Sequence, residues 1–217
     1  MKTIQGVLFD LDGTLLDTAP DMAYALNAQR QRHGLPHLPF AAIRPLVGYG
    51  SKALLQLGFE IEETHAAYPD LLNEFLQLYE QHLIDATQLF PEIEQVLAYL
   101  AQINLPWGIV TNKPSKFVHH LLKKFELDKQ AACVVCGDTL STRKPHPGTI
   151  LHACEQLQLS PASCLYVGDA SIDVTASKSA GTQSLVALYG YIHENENPLS
   201  WPADGYIHRP SEIISWL

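Results

Sequence analysis

Basic residues are scarce in this chain of 217 residues, where 14 Lys and Arg stand against 23 Asp and Glu and leave a formal net charge of −9 at pH 7. An acidic protein gains no counterion release on a polyanion, so this balance argues against a nucleic-acid partner. An apolar stretch long enough to cross a bilayer is also missing, and two aspartates interrupt the first apolar segment, which is unlike a signal peptide. We therefore expect a cytoplasmic protein with no membrane partner.

Cysteine is also rare, with four in the chain. Cys133 and Cys136 form a Cys-x-x-Cys, but they fall in an apolar run, Ala131 to Cys136, that predicts a strand and places the two side chains on opposite faces. A redox dithiol would need this motif at the start of a helix, so we interpret these residues as buried, reduced thiols. Cys154 and Cys164 are expected in the core.

The most informative segment is an apolar run, Ile4 to Phe9, that ends in Asp10, Asp12 and Gly13. Such a run is typical of a buried parallel strand, and open α/β sheets place their ligand sites at the carboxyl ends of such strands. Two carboxylates this close repel unless a cation or unequal protonation separates their roles. Asp10 could be a carboxylate nucleophile and Asp12 a general acid and base, although a simple β-turn also uses Asp and Gly here.

Two further segments offer polar groups that could bind a phosphate. The run Leu105 to Val110 ends in Thr111 and Asn112, whose hydroxyl and amide could contact phosphate oxygens. Lys144 lies in a proline-stiffened stretch, Arg143 to Pro147, and could neutralise both a carboxylate nucleophile and a phosphoryl group. Taken separately, a turn at Thr111–Asn112 and a solvated surface lysine explain these residues equally well.

A third predicted strand, Leu165 to Gly168, is followed by Asp169 and, four residues on, by Asp173. Carboxylate oxygens are hard ligands that suit Mg²⁺. A helix N-cap is the simpler interpretation of Asp169 alone. When all these segments occur in one chain, a common catalytic site explains them better than separate turns, caps and surface charges do.

The order of these segments, an aspartate pair, a hydroxyl, a lysine and an acidic pair, resembles the haloacid dehalogenase-like phosphatase superfamily over nearly the whole chain. The resemblance implies that Asp10 is the nucleophile and a Mg²⁺ ligand and that Asp12 is the acid/base and a ligand through its carbonyl. It also implies Asp169 as the remaining protein ligand and Asp173 as a residue that orients the metal shell. The phosphate-binding positions would be Gly13, Thr111, Asn112 and Lys144.

The pattern of elements divides the chain into a core and an insert. Residues 17–85 show helical spacing of apolar residues with almost no strand pattern, whereas strands and helices alternate from Phe90 onward. That alternation predicts a parallel sheet. We expect an α/β protein with a Rossmann-like parallel sheet flanked by helices, formed by residues 1–16 and 86–217. An inserted all-helical cap of the C1 type, residues 17–85, would be joined by hinges near 17–19 and 85–89.

The stretch Arg44 to Lys52 stands out within the predicted cap, because its glycines permit close backbone approach and its two cations can bind anions. We interpret it as a specificity loop in which Arg44 binds substrate. A plain turn between helices with two solvated cations is an equal alternative. The tail after Tyr191 offers no recognisable chemistry and is expected to be a loop, a short strand and a helix.

The motifs Phe9 to Asp21 and Val47 to Gly50 resemble the branch of the superfamily that contains phosphoglycolate phosphatases, and the later part of the chain resembles the N-acetylmuramic acid 6-phosphate phosphatases of that branch. The resemblance implies a phosphatase with Mg²⁺ as cofactor and a small phosphorylated metabolite as substrate, acting as a monomer or homodimer. A mutase of the β-phosphoglucomutase kind shares these motifs. A catalytically silent metabolite-binding protein is the non-enzymatic alternative, but it usually loses Asp10 or Asp12.

Overall fold

The structure is a computed structural model that describes residues 3–217, so the first two positions of the predicted core segment 1–16 lie outside the described residues. Its main feature is a sheet of six strands in which all neighbours are parallel, with the order β5-β4-β1-β6-β7-β8. These strands are β1 (Gly6–Phe9), β4 (Trp107–Val110), β5 (Cys133–Val135), β6 (Cys164–Gly168), β7 (Gln183–Ala187) and β8 (Gly205–Ile207). The predicted parallel sheet is confirmed.

Both faces of the sheet are buried, which explains why the strands are continuous apolar runs. Along β1, Val7 and Phe9 belong to one apolar layer and Leu8 to the other, as the two-residue period of a strand requires. The helices of the core flank these layers. They are α5 (Ile93–Gln102), α6 (Ser115–Lys124), α7 (Gly148–Gln156) and α8 (Ser171–Ala180).

Residues 19–81 contain helices and their connections but no strand, and are called the helical segment below. It contains α1 (Ala19–Arg32), α2 (Phe40–Ile43), α3 (Gly50–Phe59) and α4 (Tyr68–Gln81), with a 3₁₀ helix over Arg44–Tyr49. Its apolar side chains join the layer on the Val7 and Phe9 face of the sheet. No helix within residues 3–217 has the length and apolar character that a membrane span needs.

The two connections between the helical segment and the sheet are bonded to each other. A short antiparallel pair, β2 (Leu16–Asp17) and β3 (Gln88–Leu89), joins them. The buried carboxylate of Asp21 also accepts hydrogen bonds from the backbone of Ala86 (2.8 Å) and from the backbone (2.9 Å) and hydroxyl (2.7 Å) of Thr87. The segments that precede α1 and follow α4 are therefore held together next to the sheet.

The carboxyl-terminal tail and the four cysteines are close to what the sequence predicts. The tail adds β8 to the sheet edge and ends in a 3₁₀ helix, Pro210–Trp216. All four cysteines are free and buried, and burial raises the pKa of the Cys133 thiol to about 11. A thiol with such a pKa is not a ready redox nucleophile, in agreement with the interpretation of a structural Cys-x-x-Cys.

Candidate active site

Three predicted site residues follow three neighbouring strands and meet at one edge of the sheet. Asp10 follows β1, Thr111 follows β4 and Asp169 follows β6, and β1 is paired with both of the other strands. In chain order the sheet grows first to one side of β1 and then to the other, so this edge is a topological switch point. Ligands of open α/β sheets bind in the crevice formed there.

Three carboxylates crowd this edge, since Asp10, Asp169 and Asp173 each place an oxygen within 4.8 Å of the others. Burial, followed by the charge of Asp10, raises the pKa of Asp169 well above its usual value. Burial also raises the pKa of Asp10 to about 7, although Lys144 opposes the shift. A cation would relieve this repulsion, and a set of hard carboxylate oxygens fits a divalent ion such as Mg²⁺.

Gly13 allows the loop that follows β1 to lie close to Asp169. Its φ is +82°, and a Cβ placed on it would lie 2.0 Å from Asp169 Oδ2. The same oxygen accepts a hydrogen bond of 2.7 Å from the backbone N–H of Tyr191, and Oδ1 accepts one of 3.3 Å from the Thr14 hydroxyl. The Asp169 carboxylate is therefore fixed from several directions by tight packing.

Lys144 is buried between the carboxylates. Its Nζ lies 2.9 Å from Asp10 Oδ1 and 2.7 Å from Asp173 Oδ1, and it donates to the hydroxyl of Tyr166 at 2.9 Å. Burial alone would lower the pKa of Lys144, but Asp10 and Asp173 raise it, so the residue stays charged. The other Asp173 oxygen accepts the N–H of Ala170 at 3.0 Å, so Asp173 contacts both Lys144 and the start of α8.

Asn112 and Thr111 lie beside Lys144. The Asn112 amide donates to the carbonyl of Lys144 (2.9 Å), and its oxygen accepts the N–H of the same residue (3.0 Å). Asn112 thus fixes the backbone that carries the lysine. Thr111 is buried and its hydroxyl accepts the N–H of Lys113 at 3.1 Å. Direct phosphate contacts by Thr111 and Asn112 stay predictions.

Asp12 has two partners to which the sequence analysis gave no role. Lys113 Nζ lies 2.8 Å from Asp12 Oδ1, and the Thr18 hydroxyl donates to the same oxygen at 2.5 Å. The sequence predicts Asp12 and Asn112 as site residues, whereas the only signal for Lys113 is its place directly after Asn112. Its partner is 101 residues away in the chain, so the pairing could not be derived from spacing.

A cavity of about 610 Å³ opens between the strand ends and the helical segment. The strand ends supply its charged floor, while the helical segment and α6 supply apolar walls such as Val47, Leu72, Phe75 and Phe117. Glu196, from the tail for which no chemistry was expected, also lines it. A volume of this size suits a small organic ligand.

Arg44, predicted to bind substrate, is not among the described residues that line this cavity. Its guanidinium donates to the carbonyls of Gly190 (3.0 Å) and Tyr189 (3.4 Å) and lies 5.0 Å from the ring centre of Tyr191. Tyr191 was also missed by the sequence analysis. Its hydroxyl accepts the N–H of Thr18 at 2.7 Å, so it links Asp169 to the start of the helical segment.

Comparisons with known proteins agree with this arrangement. The profile of the family described as haloacid dehalogenase-like hydrolase matches residues 7–187. The chain is 41% identical to a phosphoglycolate phosphatase of Xanthomonas campestris pv. campestris, over 98% of this chain and 96% of the relative. It is 36% identical to an N-acetylmuramic acid 6-phosphate phosphatase of Pseudomonas aeruginosa, over 99% and 95%.

Among solved structures, that of a predicted phosphoglycolate phosphatase from Haemophilus somnus superposes with a TM-score of 0.88 at 28% sequence identity, and the match covers 100% of this chain and 99% of the other. A match of this extent includes the helical segment as well as the sheet. The likeness therefore extends over the whole site described above.

Proposed function

The chain belongs to the haloacid dehalogenase-like hydrolase family and is a phosphatase, and from this premise we propose that it hydrolyses a small phosphorylated metabolite through an aspartyl phosphate, an acyl phosphate formed on Asp10. The observation that carries the proposal is the asymmetry of the Asp10 carboxylate. Oδ1 accepts the N–H of Leu11 at 2.7 Å and lies 2.9 Å from Lys144 Nζ, whereas no hydrogen bond within residues 3–217 reaches Oδ2. Oδ2 is the oxygen available to attack phosphorus.

The reaction that this geometry supports has two halves. Asp10 Oδ2 attacks the phosphorus as Asp12 donates a proton to the leaving ester oxygen. Water then attacks the phosphorus, the Asp10 Oδ2–P bond breaks with its electron pair returning to Asp10, and Asp12 takes up the proton that the water loses. Lys144 offsets negative charge on Asp10 and on the transferring group. Thr111, Asn112 and Gly13 are proposed to complete the phosphate site. Positioning and charge compensation are what phosphoryl transfer requires of a protein.

Mg²⁺ is the proposed cofactor. Asp10 and Asp169 would hold it with their carboxylates and Asp12 with its main-chain carbonyl, while Asp173 keeps Lys144 in place. The crowding of Asp10, Asp169 and Asp173 within 4.8 Å supports a divalent cation at this edge. When bound, the ion supplies positive charge that offsets the phosphate oxygens.

We further propose that residues 17–85 act as a cap over a core formed by 1–16 and 86–217. The cavity between the two parts and the paired strands β2 and β3 at their junction support this division. Such a cap would exclude water from the phosphoryl transfer and gate the entry of substrate. A cytoplasmic location and a monomeric or homodimeric state stay predictions.

The two substrates proposed first are 2-phosphoglycolate and N-acetylmuramic acid 6-phosphate, because whole-chain relatives carry the corresponding names. If Arg44 binds a substrate carboxylate after a movement of the cap, Arg44→Ala should raise KM for 2-phosphoglycolate more than KM for 4-nitrophenyl phosphate. Equal changes in the two KM values would remove Arg44 from recognition.

The experiment that tests the proposal is phosphate release from both esters with Mg²⁺, using the parent, Asp10→Asn and, as a matched control, Asp128→Asn at an exposed position. We expect Asp10→Asn to lose essentially all turnover while Asp128→Asn keeps it. Acid-quenched parent should carry phosphate on the peptide that contains Asp10, detected by mass spectrometry. Appreciable turnover by Asp10→Asn would overturn the assignment of the nucleophile.

A further inference from the structure

Lys113 is a charged side chain buried where the core meets the helical segment. Only 7% of its side chain is exposed, and its Nζ lies 4.8 Å from the ring centre of Tyr79 on α4. Removing an ammonium group from water costs several kcal/mol unless a good partner replaces the solvent. That partner is Asp12, whose Oδ1 lies 2.8 Å from Nζ. Since packing alone would not offset this desolvation cost, we looked to the contact with Asp12 for the role of Lys113.

The contacts of Asp12 are one-sided. The ammonium of Lys113 and the hydroxyl of Thr18 both bind Oδ1, and no hydrogen bond from another residue within 3–217 reaches Oδ2. Two donors on one oxygen restrict rotation of the carboxyl group about the Cβ–Cγ bond. Oδ2 is therefore left as the oxygen that can exchange a proton with the substrate.

We propose that Lys113 is a positioning residue that anchors Oδ1 of Asp12 so that Oδ2 faces the leaving oxygen of the substrate, an inference that rests on the proposed phosphatase function. In the first half-reaction the P–O ester bond breaks with its electron pair going to the ester oxygen, the Asp10 Oδ2–P bond forms, and the proton moves from Asp12 Oδ2 to the ester oxygen. Lys113 exchanges no proton in this step. It acts only through the orientation of Asp12.

The position of Lys113 also depends on the helical segment. Tyr79 packs over its ammonium group, and the Tyr79 ring lies 5.3 Å from that of Phe117 on α6. The anchor for Asp12 is thus completed by residues from both sides of the cavity. A structural role at this junction and a positioning role therefore have to be separated by experiment.

Leaving groups of different basicity separate the two roles. The value of kcat/KM covers the steps up to departure of the leaving group. 4-Nitrophenolate departs without a proton, whereas the alkoxide of 2-phosphoglycolate or N-acetylmuramic acid 6-phosphate needs one. We expect Lys113→Met to lower kcat/KM by about 100-fold on the preferred alkyl ester and by less than about 5-fold on 4-nitrophenyl phosphate, since general acid catalysis contributes roughly 10²–10⁴. Lys113→Arg should recover most of the loss.

The matched control is Lys116→Met, three residues further along the chain in the first turn of α6. Lys116 also reaches the helical segment, with Nζ 3.4 Å from Glu80, but it is half exposed and does not contact Asp12. This variant should keep both kcat/KM values. Circular dichroism checks the fold, and Lys113→Gln replaces Lys113→Met if the latter does not fold.

Equal losses on the two kinds of ester, or no loss on either, would overturn the proposal for Lys113. A parent enzyme that hydrolyses neither alkyl ester would overturn the proposed substrates instead. The Lys113 variants would then be compared on phenyl and 4-nitrophenyl phosphate, where the same selective loss on the more basic leaving group is expected. The two failures are thereby distinguishable.

Discussion

Replacing Gly13 by alanine tests how the loop after β1 and the carboxylate of Asp169 depend on each other. A Cβ at Gly13 would lie 2.0 Å from Asp169 Oδ2 and 2.6 Å from its Cγ, whereas real Cβ contacts stay beyond 3.0 Å. The carboxylate must therefore retreat by about 1 Å, and a displacement of that size can cost about 100-fold in rate. The φ of +82° adds roughly 1–2 kcal/mol of strain for any residue with a Cβ.

Gly181 provides a control with the same strain and no neighbour. It follows α8 with a φ of +82°, and a Cβ placed there meets nothing within 4 Å. Gly181→Ala should thus lose roughly 1–2 kcal/mol of unfolding free energy. Gly13→Ala should lose that amount and about 1 kcal/mol more, because the retreat of Asp169 weakens its hydrogen bond from Tyr191.

Urea unfolding and phosphate release over a series of Mg²⁺ concentrations measure the two effects separately. We expect about 100-fold lower turnover and a higher Mg²⁺ requirement for Gly13→Ala, and turnover within about twofold of the parent for Gly181→Ala. If Gly13→Ala showed only the destabilisation of Gly181→Ala and kept the parent's activity and Mg²⁺ dependence, close approach at Gly13 would not be what positions Asp169.

Two further predictions concern the junction and the acidic edge. Asp21→Ala removes three hydrogen bonds to residues 86–87 and should lower the unfolding free energy in urea by about 3 kcal/mol, at roughly 1 kcal/mol per bond, whereas Asp70→Ala at an exposed position should change it little. Equal effects of the two substitutions would show that the hydrogen bonds of Asp21 do not stabilise this junction. Because the pKa of Asp10 is raised from 3.8 to about 7, the folded metal-free protein binds more protons than the unfolded chain between those values. Its stability should therefore fall as the pH rises through this window, and Mg²⁺ should raise the melting temperature more at about pH 7.5 than at about pH 5; the opposite order would contradict the burial of Asp10.

The strand ends of the site could be predicted from the sequence because burial on both faces makes each central strand a continuous apolar run. Where such a run stops at a carboxylate, as at Asp10 and Asp169, the edge of the sheet is marked directly in the sequence. The parallel order of the strands then brings these residues together. The predicted convergence of Asp10, Thr111, Lys144 and Asp169 needed no knowledge of side-chain contacts.

The partners of two other long cations could not be predicted in this way. Lys113 and Arg44 have flexible stems that reach several neighbours, and only the folded chain decides among them. Arg44 turns to the carbonyls of residues 189–190, and Lys113 turns to Asp12. Tyr191 was missed for a related reason, since an aromatic residue in a loop carries no periodic pattern that would indicate its bonds to Asp169 and Thr18.

The charges of the site show why one edge of the sheet can attract a cation and then an anion. The edge holds four carboxylates, those of Asp10, Asp12, Asp169 and Asp173, and the two paired ammonium groups of Lys113 and Lys144, which leaves −2 when all are ionised. A phosphate dianion alone would be repelled by this sum. A divalent cation brings it to zero. Burial is the largest cause of the raised pKa values of Asp10 and Asp169, and the neighbouring carboxylates add to it. Binding of the metal should therefore precede that of the phosphate ester, and equilibrium binding of inorganic phosphate should require Mg²⁺; phosphate binding of equal affinity without the metal would show that the lysines alone suffice.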